Sequence, residues 1–104
     1  MAVQSNINMK KWIAHSESFA KGIIHINKKA ADALHGKNRA VSLLLVGVTS
    51  IEGDFEEGDI ISVLDEDGKR IAVGRSGYDS DEAVRLIGAH DQKPLIHYDY
   101  LYME

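Results

Sequence analysis

The side chains best able to do chemistry crowd into one stretch, GDFEEGDI, from Gly53 to Ile60, where Asp54, Glu56, Glu57 and Asp59 surround two glycines. Those glycines have the spacing of a phosphate-cradling loop, G-x-x-x-x-G-K-[ST]. Such a loop works through backbone amides and a lysine that draw in phosphate. Here the lysine position holds Asp59, which turns attraction into a repulsion of ~1 kcal/mol at 4 Å in water, or ~4 at an effective dielectric of 20. The following IISVL is patterned for a strand, whereas a phosphate loop must open a helix. The stretch therefore reads as a turn in which glycines supply positive φ and aspartates bond nearby amides.

Other chemistries fail on spacing. Counting an EF-hand around Gly68 puts Val63 at its first ligand position and Gly74 where the bidentate glutamate belongs. Loose binding of Mg²⁺ or Ca²⁺ by the clustered acids stays open, but no metal-ligand set is assigned. His15, His25, His35, His90 and His97 include no H-E-x-x-H pair. On an extended tail, His97 and Asp99 would share a strand face, and they read as a structural pair because no nucleophile accompanies them. GRSGY, Gly74 to Tyr78, lacks the last glycine of G-x-S-x-G, so Ser76 reads as a strand or loop residue. Tyr98, Tyr100 and Tyr102 would form an aromatic stripe on the same strand. Stacking of nucleobases on it would need basic neighbours, which that strand lacks, so packing or an intersubunit surface is favoured. No catalytic residue is assigned.

The elements that must position these residues fit one small domain. The chain has 104 residues, 44% hydrophobic and 27% charged, with a formal charge of −4. A domain of this size buries about 65% of its unfolded surface, leaving little room for an internal catalytic cavity. The acidic balance opposes strong nonspecific nucleic-acid binding. There is no cysteine, which removes disulfides and zinc–thiolate sites. With no apolar run near the ~18 residues of a membrane span and no signal-peptide core, the sequence predicts a cytoplasmic protein without a membrane partner.

Along the chain, GIIHIN (Gly22 to Asn27) predicts a strand. A helix follows, capped by Asn27 and ended by Gly36, with Ala30, Ala33 and Leu34 on its buried face. AVSLLLVGV, from Ala40 to Val48, reads as a buried strand. In DIISVLDEDGKRIAVG, the Asp67-Gly68 pair between two β-prone segments predicts a hairpin. YDSDEAVRLIG predicts a second helix capped by Asp79 or Ser80, stopped by Gly88, and facing the core through Ala83, Leu86 and Ile87. After Pro94, LIHYDYLYM predicts a closing strand. The order implies a compact α+β domain with mostly antiparallel pairing, a small partly closed barrel. Lys28, Lys29, Lys37 and Arg39, with Asn38 among them, cluster about the first helix, and a solvated face is the plain reading.

These pieces resemble the C-terminal domain of the glutamate 5-kinase (gamma-glutamyl kinase) family. The resemblance is carried by WIAHS…KGIIHINKKAADAL, SLLLVGVTSIEGDFEEGD, DEDGKRIAVG…YDSDE and LIHYDYL, from about Lys10 to the end. It implies a PUA-like mixed β pseudo-barrel with two flanking short helices over residues 17–104. Residues 1–16 would be a linker from an amino-acid-kinase domain, and Gly58-Asp59 the family's Gly-Asp turn. The family transfers the ATP γ-phosphate to the side-chain carboxylate of glutamate, the first step of proline biosynthesis. The resemblance places ATP and Mg²⁺ on the kinase domain, so no cofactor is expected for this chain, and an accessory or regulatory role is implied. Docking would use Trp12 and Ile13.

Many PUA domains bind RNA through the first helix, the loop after it and the adjoining strand. The resemblance makes Lys28, Lys29, Lys37, Asn38 and Arg39 the RNA-binding candidates. The partners it implies are the kinase domain, a second copy of the chain, or RNA. The sequence departs from the family at Ala40-Val41, where Gly-Lys is usual, at Leu45, where proline is usual, at Val73, where Arg is frequent, and at Tyr98, where Arg is common. The segment between Gly88 and Leu95 is shortened as well. Three of these departures remove or avoid a positive charge.

Overall fold

The computed structural model describes residues 20–36 and 41–104. Among these residues five strands form one sheet: β1 (Gly22–Ile26), β2 (Val48–Gly53), β3 (Ile60–Leu64), β4 (Arg70–Arg75) and β5 (Leu101–Met103), in the order β2-β1-β3-β4-β5. Among the described residues two helices accompany it, α1 (Lys28–His35) and α2 (Ser80–Arg85). The expected α+β class and its two flanking helices are present. The sheet is mixed, as expected: β1 and β3, at the centre, run parallel, while the other pairs are antiparallel. The chain between them holds α1 and β2, ample for the crossover that parallel strands require.

The sheet does not close into a barrel. Its edges are β2 and β5, and the segments leading into them meet at an antiparallel bridge, Leu43 to Ile96. Leu43 N–H donates to Ile96 O at 2.9 Å, and Leu95 N–H donates to Leu43 O at 2.8 Å. This bridge draws the two edges together at one end, which gives the barrel-like outline.

Two sequence expectations fail here for one reason. The run from Ala40 to Val48 is not a strand over its described part. It makes the bridge at Leu43 and then a 3-10 turn over Leu45–Gly47 before β2 starts at Val48. Leu43 and Leu45 are buried, whereas Leu44 and Val46 are 47% and 40% exposed. The tail likewise bridges at Ile96, turns through Tyr98–Tyr100 and only then enters β5. Chain direction has to change where each segment leaves the bridge for its edge strand, and an apolar pattern alone does not report that change. The three tyrosines consequently share no single strand face.

The core lies on one side of the sheet. Ile24 and Ile26 from β1, Ile61 and Val63 from β3, and Leu43, Leu45, Leu95 and Ile96 from the bridged segments are at most 1% exposed. Each such side chain contributes about 1.5–3 kcal/mol through the water it leaves. β3 is buried on both faces, since Ile60 packs with Val73 on the opposite side, against Ala20 and Tyr102. α1 is capped as expected, with Asn27 Oδ1 accepting from Ala30 N–H at 2.7 Å. Its buried residues are Ala31 and Leu34, with Ala30 partly buried beside them, and Ala33 is exposed, because the face turned to the core runs through Ala31 and Leu34 rather than through Ala30 and Ala33. Gly36 follows the last helical residue, but at φ −65° it does not use glycine's left-handed freedom. α2 ends sooner than Gly88, at Arg85, with Leu86 and Ile87 still packed against the core.

Candidate binding surfaces

The GDFEEGDI stretch connects β2 to β3, and two of its acids, Asp54 and Asp59, take part in the hydrogen bonds that pin it. Gly53 and Gly58 both have positive φ, +94° and +96°. Asp59 Oδ2 accepts from Glu56 N–H at 2.8 Å, and Asp79 Oδ1 accepts from Glu57 N–H at 2.8 Å. Ser80 Oγ accepts from Phe55 N–H at 3.2 Å and donates to Asp54 Oδ1 at 3.1 Å. A strand, not a helix, leaves from Ile60. The geometry is that of a pinned turn around Phe55, which is 3% exposed. Among the described residues no three His, Asp or Glu side chains converge as a metal cage would require.

Ser76 is structural too. It is buried just after β4, its Oγ donates to Tyr78 O at 2.5 Å, and it accepts from Tyr78 N–H at 3.1 Å. Tyr78 is 4% exposed, and its hydroxyl donates to Lys93 O at 2.9 Å. Burial pushes its phenol above the ordinary value of 10.0, and the carboxylate of Glu82 adds to the effect. His97 and Asp99 lie on the turn before β5 rather than on a strand. His97 Nδ1 accepts from Asp99 N–H at 3.1 Å and stands 3.6 Å from Asp99 Oδ2. A further pair had no sequence signal: His25 Nε2 meets Glu52 Oε2 at 2.5 Å between β1 and β2.

Of the residues expected to bind RNA, Lys28 and Lys29 are exposed in the first turn of α1. No acid accompanies them there, so their charges add to the positive end of the helix dipole. Lys37, Asn38 and Arg39 lie outside the described residues, as do Trp12 and Ile13. Beside α1 runs a cleft of about 470 Å³, whose lining includes Ala30, Ala33, Leu34, Leu44 and Val46 together with Lys29 and His90. A lysine thus borders an apolar groove, an arrangement that suits a partner with both charge and a flat apolar surface.

A second pocket, of about 310 Å³, opens between the acidic turn and the tail. Arg75, Lys93, His97 and Tyr100 line it, with Glu57. The Arg75 guanidinium carbon is 5.2 Å from the centroid of the Tyr100 ring, and Lys93 Nζ is 4.8 Å from that of Tyr78. His97 stacks on Tyr98 at 4.3 Å. The sequence pattern gave no sign of this cluster, since the tail itself holds no cation near its tyrosines. The pairing Gly74 to Leu101 supplies one, because the antiparallel register sets Arg75 beside Tyr100.

The profile of the PUA domain family matches residues 22–98. The chain belongs to the PUA domain family. Within the family it is 52% identical, over 97 residues and 93% of its length, to the glutamate 5-kinase of Bacteroides thetaiotaomicron. It spans 27% of that relative, so about a quarter of the length of such kinases corresponds to this PUA domain. Among solved structures it resembles a PUA domain from Aeropyrum pernix K1 in a tartrate complex. That likeness has a TM-score of 0.67 and 27% identity, covering 81% of this chain and 45% of that one. It also resembles in fold a chain of an H/ACA RNP bound to a substrate RNA. There the TM-score is 0.57 and the identity 16%, over 91% of this chain and 25% of that one. The similarity to glutamate 5-kinases is to their C-terminal region, as the family motifs along the chain imply.

Proposed function

We propose that this PUA domain is the accessory part of a glutamate 5-kinase and carries out no phosphoryl transfer itself. The observation that carries the reading is 52% identity to a kinase of which the chain covers 27%. The acidic turn agrees with it, because Asp59 is held by the Glu56 amide and Asp54 by the Ser80 hydroxyl, and its carboxylates would repel a phosphate. In this reading ATP, Mg²⁺ and the glutamate carboxylate are handled by an amino-acid-kinase domain. Residues 1–16 join the two, and Trp12 and Ile13 make the contact. Residues 17–104 then tune assembly or feedback by proline. A cytoplasmic location goes with the parent enzyme; for the described residues, no helix is long and apolar enough to cross a membrane.

The test is to supply the chain with ATP, Mg²⁺ and glutamate and measure phosphate transfer. No turnover is expected, and turnover above a buffer control would overturn the reading. Docking is tested by adding the chain to a separately produced amino-acid-kinase domain. Trp12→Ala should weaken association by about tenfold or more, as for a buried aromatic anchor.

A second reading, RNA binding, is favoured by the exposed Lys28 and Lys29 beside the α1 cleft and by the fold shared with a chain of an RNA-bound H/ACA RNP. It predicts micromolar binding of structured RNA that falls steeply with salt. Substituting both Lys37 and Arg39 by alanine should abolish it, and an absence of binding at low salt would end this reading.

A further inference from the structure

Acids outnumber bases in this chain, sixteen to twelve, yet one concavity gathers two cations that form no ion pair among the described residues. Arg75 leaves β4 with its Nε–H directed to Gly58 O at a long 3.4 Å, while its guanidinium rests over Tyr100. Its terminal nitrogens make no hydrogen bond or ion pair among the described residues. Lys93, just before Pro94, rests over Tyr78 and likewise has no acidic partner there. His97 accepts a backbone N–H at Nδ1, which leaves the neutral ring's proton on Nε2 as a further donor. Glu57 also lines the pocket and is the one carboxylate to do so among the described residues.

We propose that this pocket is a binding site for a small organic anion, a compact molecule with a single carboxylate or phosphate head. The head would sit against the terminal nitrogens of Arg75 and the Lys93 ammonium, and the body against Tyr100 and Pro94. A guanidinium presents a planar fork that matches two oxygens of either head group. Stacking on Tyr100 holds that fork in place before a ligand arrives, so less side-chain entropy is lost on binding. The volume, about 310 Å³, lies at the small end of ligand pockets and suits a metabolite rather than a peptide or helix. Two cations opposed by Glu57 leave a local excess of one positive charge, which favours a single anionic head over a polyphosphate. The site shares no residue with the α1 surface, and it depends on neither functional reading above.

The experiment is a titration of the ¹⁵N-labelled chain with inorganic phosphate and, separately, with acetate, at constant ionic strength. Saturable shifts are expected at Gly58, Ser76, Gly77, His97 and the Arg75 side chain, with Lys28 and Lys29 unmoved. Lys93→Gln, a change at an exposed side chain, should weaken the apparent Kd several-fold, and Arg75→Gln with Lys93→Gln by about tenfold or more. An unchanged amide spectrum elsewhere reports that each variant folds. Shifts that rise linearly across all lysines, or a Kd the same in both variants, would overturn the site. So would resonances that respond to an RNA oligonucleotide and to neither small anion, which would make the pocket part of a nucleic-acid surface.

Discussion

Tyr78 and Ser80 show how single side chains hold the acidic turn and the tail to the sheet. The Tyr78 phenol titrates above 10.0 in the fold because burial and Glu82 disfavour its anion. The folded chain therefore holds this proton more tightly than the unfolded chain. The resulting stability is fully present below pH 10 and is lost as pH rises through the folded value. Tyr78→Phe removes the hydroxyl that donates to Lys93 O, which costs about 1 kcal/mol at neutral pH. Thermal unfolding followed from pH 8 to 11 should fall less steeply for this variant than for the unaltered chain. Ser80→Ala strips the acceptor from the buried Phe55 amide and the donor from Asp54. A loss of about 1–3 kcal/mol is expected, seen as a lower Tm of roughly 4–8 °C for each kcal/mol.

Two glycines separate the demands of a turn from those of a sheet. Gly68 has φ +82° in the β3–β4 hairpin, and a Cβ there would meet nothing within 4 Å. The turn is fastened by Asp65, whose Oδ1 accepts from Asp67 N–H at 2.9 Å and Lys69 N–H at 3.0 Å. Gly68→Ala therefore costs only the left-handed conformation, about 1 kcal/mol. Gly74 has no positive φ, but a Cβ would lie 2.5 Å from Tyr100 O and 2.7 Å from Ile96 Cγ2. Gly74→Ala must push β5 off β4, so urea unfolding should show it several-fold more damaging than Gly68→Ala. The same variant should disturb the Arg75–Tyr100 contact, since the register that sets it would slip. Asn27→Ala tests α1 alone: loss of the cap to Ala30 should cost about 1 kcal/mol.

For the molecule as a whole, the charge of −4 and the grouping of cations decide between partners. If the domain serves a kinase, its removal should alter assembly or proline response of the parent enzyme while this chain alone stays without turnover. If it binds RNA, the logarithm of the affinity should fall linearly with the logarithm of salt. Substituting Lys28 or Lys29 should then reduce that slope by about 0.7–0.9 for every phosphate the side chain neutralises. A measured slope near zero would leave the α1 cleft to an apolar protein surface.

Much of the fold could be read from local pattern. Asn27 as a cap, Asp67-Gly68 as a hairpin, and Gly53 and Gly58 as turn glycines are statements about residues within a few positions of each other, where backbone sterics and side-chain-to-amide bonds decide. The PUA domain itself was indicated by the resemblance of motifs, spread in order along the chain, to a known family. The parallel pairing of β1 with β3, the Leu43–Ile96 bridge and the gathering of Arg75, Lys93, His97 and Tyr100 depend on partners far apart in the chain. No periodicity encodes such partners, because closing a long loop is decided by what the whole core buries. Local chemistry determined the pieces and their punctuation, and the tertiary fold alone decided which charges meet and where a ligand could sit.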